Sequence, residues 1–274
     1  MTFSKIALFV AGIVGLSSLT AAADELADIK ARGTLVCGVI GISEPYGYVN
    51  PKTQEVEGYE VDLCSKLAER LGVKAEPKVT SSEARLPELL QGRVDVLAAL
   101  ITYSAERAKQ IDYSNSYLVE PFRYLVRADS GIKDFSQLET ARIANVKGSL
   151  LEKVTKERFP GATNISFEDQ SAAFLALQQG KAVALAGRDT TLKALQNRAG
   201  DGAAPTEFVQ EPLLVQRTGF GLRKGEEPLL KEINAFLTDL EASGEAQKLF
   251  DKWMGKDSAF KITRSFKVGD PIIN

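Results

Sequence analysis

Short apolar segments with the composition of β-strands alternate with helix-like segments along most of this chain. In the first half, the pattern predicts strands over 34–40, 73–79, 94–101 and 117–126, and helices over 61–71 and 85–91. In the second half, it predicts strands over 141–146, 165–167, 182–186, 207–217 and 219–222, and helices over 135–138, 150–158, 171–179, 190–198 and 226–252, the last interrupted near Gly244. Such alternation favours an α/β fold built on mostly parallel sheets.

The alternation occurs twice, and the extended segment around 117–126 separates the two series. The strands near 213–222 would lead back to the first series, so we expect two lobes joined by two hinge strands. Lobe 1 would comprise residues 24–121 and 218–274, and lobe 2 residues 122–217. Ligands of parallel sheets bind at the carboxyl ends of the strands, and those of two-lobed proteins bind in the cleft between the lobes.

The first 23 residues have the pattern of a secretory signal peptide. Lys5 supplies the positive charge, 6–19 form the apolar region, and Ala21 to Ala23 give the small residues at a cleavage site. The apolar run is shorter than the roughly 20 residues that span a bilayer. We therefore expect cleavage after Ala23 and a mature protein that is soluble in an oxidising compartment.

Composition excludes several classes of function. The net charge is -2 without a basic block, which argues against nucleic acid as the main partner. The chain contains no histidine, which removes histidine-based triads and the commonest transition-metal ligand. Two cysteines are too few for a zinc cluster. No G-x-x-x-x-G-K-[ST] motif is present, so the chain is not an ATPase of that class, and we expect neither a metal nor a cofactor.

A series of motifs resembles the periplasmic solute-binding proteins of polar amino acid ABC transporters, the family 3 extracellular solute-binding proteins. In chain order they are EPYGYVN, VEGYEVDLCSKLAERLG, RLPELLQGRVDVLAA, TYSAERAKQIDYSNSY, VKGSLLEKV, LALQQGKAVALAGRD and SGEAQKLFDKWMGK. Some of these stretches look closest to the glutamate/aspartate-binding type. The resemblance implies the two-lobed periplasmic binding protein fold, a monomer that captures a small carboxylate-bearing solute, and delivery to permease subunits in the inner membrane.

The same resemblance assigns candidate ligand contacts. Arg107 would hold the ligand's α-carboxylate, because a guanidinium matches a carboxylate with two parallel hydrogen bonds. Thr102 and Ser104 would bind the ligand or shape the loop. Ser149 opens a predicted helix whose amino-terminal end attracts carboxylates. Tyr46 would place an aromatic ring against the ligand side chain.

Arg85 aligns with an arginine that meets the side-chain carboxylate in the glutamate/aspartate type, although a solvated position at the start of a helix is the alternative. If Arg85 points inward, two cationic groups favour an anionic or dicarboxylic ligand. That type also has an arginine soon after the first strand, where this chain has Ile40, and the loop carries Glu44 instead.

A second departure concerns the group for the ligand's α-ammonium. The family has an aspartate where this chain, counted without gaps, has Arg188, and Asp189 follows one residue later. A one-residue slip reverses the direction of a strand side chain. A local bulge would bring Asp189 to the ligand, which is the interpretation we prefer. Otherwise Arg188 adds a positive group, and the ligand is a carboxylate without an amine.

Cys37 and Cys64 lie on a strand and a helix that normally pack together in this fold. A disulfide and two buried thiols explain them equally well.

The primary hypothesis is therefore a periplasmic receptor for a polar or acidic amino acid, without enzymatic activity. A receptor for an amine-free carboxylate is one alternative. The other is a periplasmic enzyme resembling cyclohexadienyl dehydratase, in which Glu44 or Asp189 would act as a general acid.

Overall fold

The computed structural model describes residues 24–272, so the expected signal peptide at 1–23 lies outside the described residues. The α-helices are α1 (Glu25–Arg32), α2 (Tyr59–Leu71), α3 (Arg85–Leu90), α4 (Leu150–Arg158), α5 (Gln170–Gln178), α6 (Asp189–Arg198), α7 (Glu227–Ala242) and α8 (Glu245–Trp253). The strands are β1 (Thr34–Ile40), β2 (Ile42–Ser43), β3 (Gly47–Val49), β4 (Val56–Glu57), β5 (Lys74–Thr80), β6 (Val96–Ala98), β7 (Ile111–Arg127), β8 (Arg142–Val146), β9 (Thr163–Phe167), β10 (Ala184–Arg188), β11 (Thr206–Phe208) and β12 (Leu214–Arg223). Among the described helices, none is long and apolar enough to cross a membrane.

The predicted alternation of strands and helices is confirmed, with some changes of boundary. The expected strand over 117–126 is the central part of β7, which spans 17 residues. The expected strand over 94–101 is reduced to β6. The interruption predicted near Gly244 in the helical region 226–252 is confirmed, because α7 ends before Gly244, α8 begins after it, and the backbone there takes a φ of 77°.

The main sheet has the strand order β5-β1-β6-β12-β7-β10-β8-β9, and β11 pairs with β7. Strand β1 is parallel to β5 and β6 at one end, and β8 is parallel to β9 and β10 at the other. The long strands β7 and β12 run antiparallel to each other between these two parallel groups. They are thus the two strands that connect both halves of the molecule.

The hydrophobic clusters fall into two groups along the chain. One group draws its buried residues from 29–118 and 220–268. The other draws them from 122–213. We therefore use the expected lobe boundaries, after residue 121 and after residue 217, to describe the molecule.

Helix α2 packs on β1 and is tied to it by a disulfide. Its apolar face includes Leu63 and Leu67, which join the core of lobe 1, and it ends at Gly72, where a φ of 73° suits glycine. Cys64 on this face bonds to Cys37 of β1, with the two Cα atoms 6.3 Å apart. Of the two alternatives left open by the sequence, the structure contains the disulfide.

Candidate ligand-binding site

A cavity of about 90 Å³ lies between the two lobes. Ile40, Val146 and Arg188, the last residues of β1, β8 and β10, all line it. The cavity is therefore at the carboxyl ends of parallel strands from both lobes, the expected position for a ligand of such sheets. Four of the residues singled out from the sequence line this cavity: Arg85, Thr102, Ser149 and Arg188.

Arg85 opens α3 and is 3% exposed. Its Nη1 donates hydrogen bonds to the carbonyl oxygens of Ala99 at 2.7 Å and Leu100 at 3.1 Å. Burial, together with the positive charges of Arg107 and Arg188, holds the pKa of Arg85 below its ordinary value. Arg85 thus lies inward, not in solvent, and an anion in the cavity would stabilise its charged form.

Arg188 ends β10 and is 8% exposed. Its Nη1 donates to Oε2 of Glu120 at 2.9 Å, and its Nη2 donates to Oγ1 of Thr102 at 2.8 Å. The guanidinium carbon lies 4.7 Å from the centre of the Phe122 ring, within the range of a cation–π contact. Strand β10 pairs residue by residue with β7 from Ala184 to Arg188, so no bulge turns this side chain away from the cavity.

Asp189, which we preferred over Arg188 as the group for the ligand's α-ammonium, does not line this cavity. It is the first residue of α6, and its carboxylate accepts a hydrogen bond from Nζ of Lys193 at 2.7 Å and lies 3.4 Å from Nε of Arg123. The regular register of β10 is the physical reason, because neighbouring positions on a strand point in opposite directions.

Tyr46 is also placed differently from the expectation. It is fully buried in the core of lobe 1, and its hydroxyl donates to Oε1 of Glu120 at 2.5 Å. Oγ1 of Thr190 donates to the same oxygen at 2.6 Å. Tyr46 therefore helps to fix Glu120, which in turn fixes Arg188, and its ring is absent from the cavity lining.

Arg107 links the lobes beside the cavity instead of lining it. Its Nη1 donates to the carbonyl oxygen of Thr102, and its Nη2 donates to that of Gly148, both at 3.1 Å. With Ser104 it borders a neighbouring cleft instead. The hydroxyl oxygen of Ser104 accepts a hydrogen bond from the backbone N–H of Arg107 at 3.2 Å, so Ser104 shapes this loop.

Ser149 caps α4 from the side of lobe 2. Its Oγ accepts the N–H of Glu152 at 3.1 Å. Leu150 and Leu151, the next two residues, also line the cavity. N–H groups in the first turn of a helix have no acceptor within the helix, and the positive end of the helix dipole attracts anions. The amino-terminal end of α4 thus adds positive potential to that of the two arginines.

Opposite charges from the two lobes also meet outside the cavity. Oε2 of Glu83 lies 2.8 Å from Nζ of Lys147. Glu106 pairs with Lys153, and Glu44 pairs with Arg198 at 2.5 Å. Glu44 is therefore part of an ion pair between the lobes and not part of the cavity lining. In all three pairs the acid belongs to lobe 1 and the base to lobe 2. We call these three pairs the rim pairs.

The sequence analysis did not identify two residues that are important to the site. Phe122 lines the cavity and its ring contacts the Arg188 guanidinium. Glu120 accepts a hydrogen bond from the same guanidinium on the side away from the cavity. The available signal was Glu120 itself, a carboxylate in an otherwise apolar strand segment, Tyr117 to Phe122.

Comparisons with known proteins identify the family of this chain. The model of the bacterial extracellular solute-binding proteins, family 3, matches residues 35–256. An ABC transporter glutamine-binding protein of Bacillus subtilis is 31% identical over 252 residues, which are 90% of this chain and 91% of that protein. An L-glutamate/L-aspartate-binding protein of Pseudomonas aeruginosa is 29% identical and covers 90% of this chain and 86% of its own length.

A solved structure shares the fold. It is that of an ancestral amino acid-binding protein described as a precursor of cyclohexadienyl dehydratase, with a TM-score of 0.77 and 28% identity. The similarity covers 85% of this chain and 100% of the ancestral chain. Together with the family match and the cavity at the strand ends, it shows that this chain belongs to the bacterial extracellular solute-binding proteins of family 3.

Proposed function

We propose that this chain is the substrate-binding component of an ABC importer. It captures a small carboxylate-bearing solute between its lobes, with a polar or acidic amino acid as the first candidate. The observation that carries the proposal is the cavity between the lobes, lined by a buried guanidinium from each lobe and by the amino-terminal end of α4. The relatives named for glutamine and for glutamate and aspartate support the choice of amino acids.

The contacts explain how binding would close the molecule. A ligand that touches Arg85 of lobe 1 and Ser149 of lobe 2 stabilises only the conformation in which both reach it, and so favours the closed state. Arg107 and the rim pairs join the lobes in that same conformation. The closed form would then present the solute to a permease in the inner membrane, which is consistent with the periplasmic location expected for this family.

We propose binding without turnover. The two carboxylates considered as a general acid, Glu44 and Asp189, each form ion pairs outside the cavity lining. Glu168 and Asp169 line the cavity in the described part of the chain, but Glu168 is exposed and Asp169 caps α5, so neither is a buried carboxyl group available as a general acid.

The proposal is tested with the mature chain, 24–274, refolded to remove any bound solute. Thermal unfolding is followed with the amino acids and a set of other small carboxylates, and each hit is titrated by calorimetry. A ligand of the native state raises the melting temperature, so at least one carboxylate must do so at one equivalent per chain. Stabilisation by uncharged sugars alone would refute the proposal, and conversion of a bound acid to product would refute binding without turnover.

A further inference from the structure

Within the described residues, the two guanidinium groups that line the cavity face no buried carboxylate among the other lining residues. Glu168 and Asp169 are the acidic residues that line it in the described part of the chain. The Glu168 side chain is 78% exposed. Asp169 caps α5, and its Oδ1 accepts the N–H of Ala172 at 2.8 Å. Neither carboxylate is a buried partner for the guanidinium groups of Arg85 and Arg188.

The two arginines differ in the groups that balance their positive charges. Within residues 24–272, the hydrogen bonds of the Arg85 guanidinium go only to backbone carbonyl oxygens. The buried carboxylate of Glu60 is nearby, but it forms no ion pair with Arg85 and accepts hydrogen bonds from the Leu100 N–H and the Tyr117 hydroxyl instead.

Arg188 has Glu120, but Glu120 does not line the cavity and both of its oxygens are engaged by Tyr46, Thr190 and Arg188 itself. Glu120 thus fixes Arg188 from the side away from the cavity, while Arg188 remains part of the cavity lining.

A buried cation without an anionic partner is costly, and an anionic ligand removes that cost. A ligand with a single anionic group can pair closely with one of the two guanidinium groups, which come from different lobes. A ligand with an anionic group at each end can pair with both. The amino-terminal end of α4 adds further positive potential between them.

We propose that the solute is a small acid with two anionic groups, and that Arg188, held by Glu120, forms the subsite for the second group. This inference rests on the proposed function, because it specifies the class of carboxylate-bearing solute. Two sources share the chemistry: an acidic amino acid, and a dicarboxylate or sulfonated acid without an amine. The experiment distinguishes them.

The first test compares matched ligands by calorimetry on the refolded mature chain. The pairs are glutamate with glutamine, aspartate with asparagine, glutarate with its monoamide, and succinate with its monoamide. Each pair differs in one anionic group and little in shape. In the pair of the correct length, we expect the dianion to bind at least about tenfold more tightly than the amide, because only the dianion can accept charge-assisted hydrogen bonds from both guanidinium groups. Tight binding of glutamate or aspartate identifies an amino acid, whereas tight binding of glutarate or succinate alone identifies an amine-free acid.

Equal or tighter binding of the amides would overturn the inference but leave the proposed function intact, since a carboxylate would still bind. Binding only of amino acids outside these pairs that carry a single anionic group would also overturn the inference and leave the proposed function intact. Failure of every carboxylate to bind would overturn both.

The second test isolates Arg188. Arg188→Gln alone would leave the buried Glu120 without its cation, so the test variant combines Arg188→Gln with Glu120→Gln. We expect this variant to bind the dianion at least about tenfold more weakly and its monoamide within about threefold of the original affinity. Arg123→Gln is the matched control, because Arg123 lies outside the cavity lining, and it should change neither affinity. An equal loss for dianion and monoamide would show that Arg188 only supports the structure and would overturn its role as a subsite.

Discussion

Removal of the disulfide between Cys37 and Cys64 has a calculable effect on stability. The bond closes a loop with a sequence separation of 27 residues between β1 and α2. In the chain-entropy model, a cross-link of this separation stabilises the native state by about 3.5 kcal/mol at 25 °C. For a chain of this size, that corresponds to a fall in melting temperature of about 7–14 °C.

The assay is scanning calorimetry of the mature chain and of the Cys37→Ala/Cys64→Ala variant, both without ligand. Both sulfur atoms are buried, so the reduced wild-type chain serves as a control that retains their packing volume. We expect the reduced chain and the variant to melt within a few degrees of each other, and both well below the oxidised chain. A melting temperature for both within about 2 °C of the oxidised chain would refute the assignment of a stabilising cross-link.

Other predictions concern the ligand and are checked by calorimetric titration. Arg85→Met should weaken binding by about 10- to 150-fold, since one charge-assisted hydrogen bond contributes about 1.5–3 kcal/mol, and an unchanged affinity would remove Arg85 from the site. Asp189→Asn should leave the affinity within about twofold, because its carboxylate lies outside the cavity lining, whereas a tenfold loss would restore it as a ligand contact. Glu83→Lys should weaken binding by about 1.4- to 5-fold by breaking one exposed rim pair, and adding Lys147→Glu should restore it. If the double variant is no better than the single one, the pair does not support closure.

Much of the fold could be predicted because local patterns and tertiary packing agree. Helix α4 begins and ends at the predicted residues, since Ser149 provides a cap and the apolar spacing matches the face that it buries. Strand β7 was underestimated. Its first residues, Ile111 to Ser116, are partly polar, and they are extended because they pair with β12, which no local pattern reveals.

The site was predicted less completely than the fold. Arg85, Thr102 and Ser149 were expected at the ligand, and all three line the cavity. Arg188 and Asp189 could not be separated from the sequence, because the direction of each side chain depends on the register between β10 and β7.

Tyr46 illustrates a different limit of sequence-based prediction. An aromatic residue in a loop between predicted elements fits a ligand contact and a buried support equally well. Only the three-dimensional position of Glu120, 74 residues away in the chain, decides that the Tyr46 hydroxyl points into the protein.

The most direct test of the account is a crystal structure of the mature chain with the tightest-binding acid from the titrations. We predict one molecule in the cavity between the lobes, with a carboxylate within roughly 3 Å of the Arg85 guanidinium and contacts to Ser149 from the other lobe. A ligand bound elsewhere, or in contact with only one lobe of a closed molecule, would contradict the claim that this cavity captures the solute.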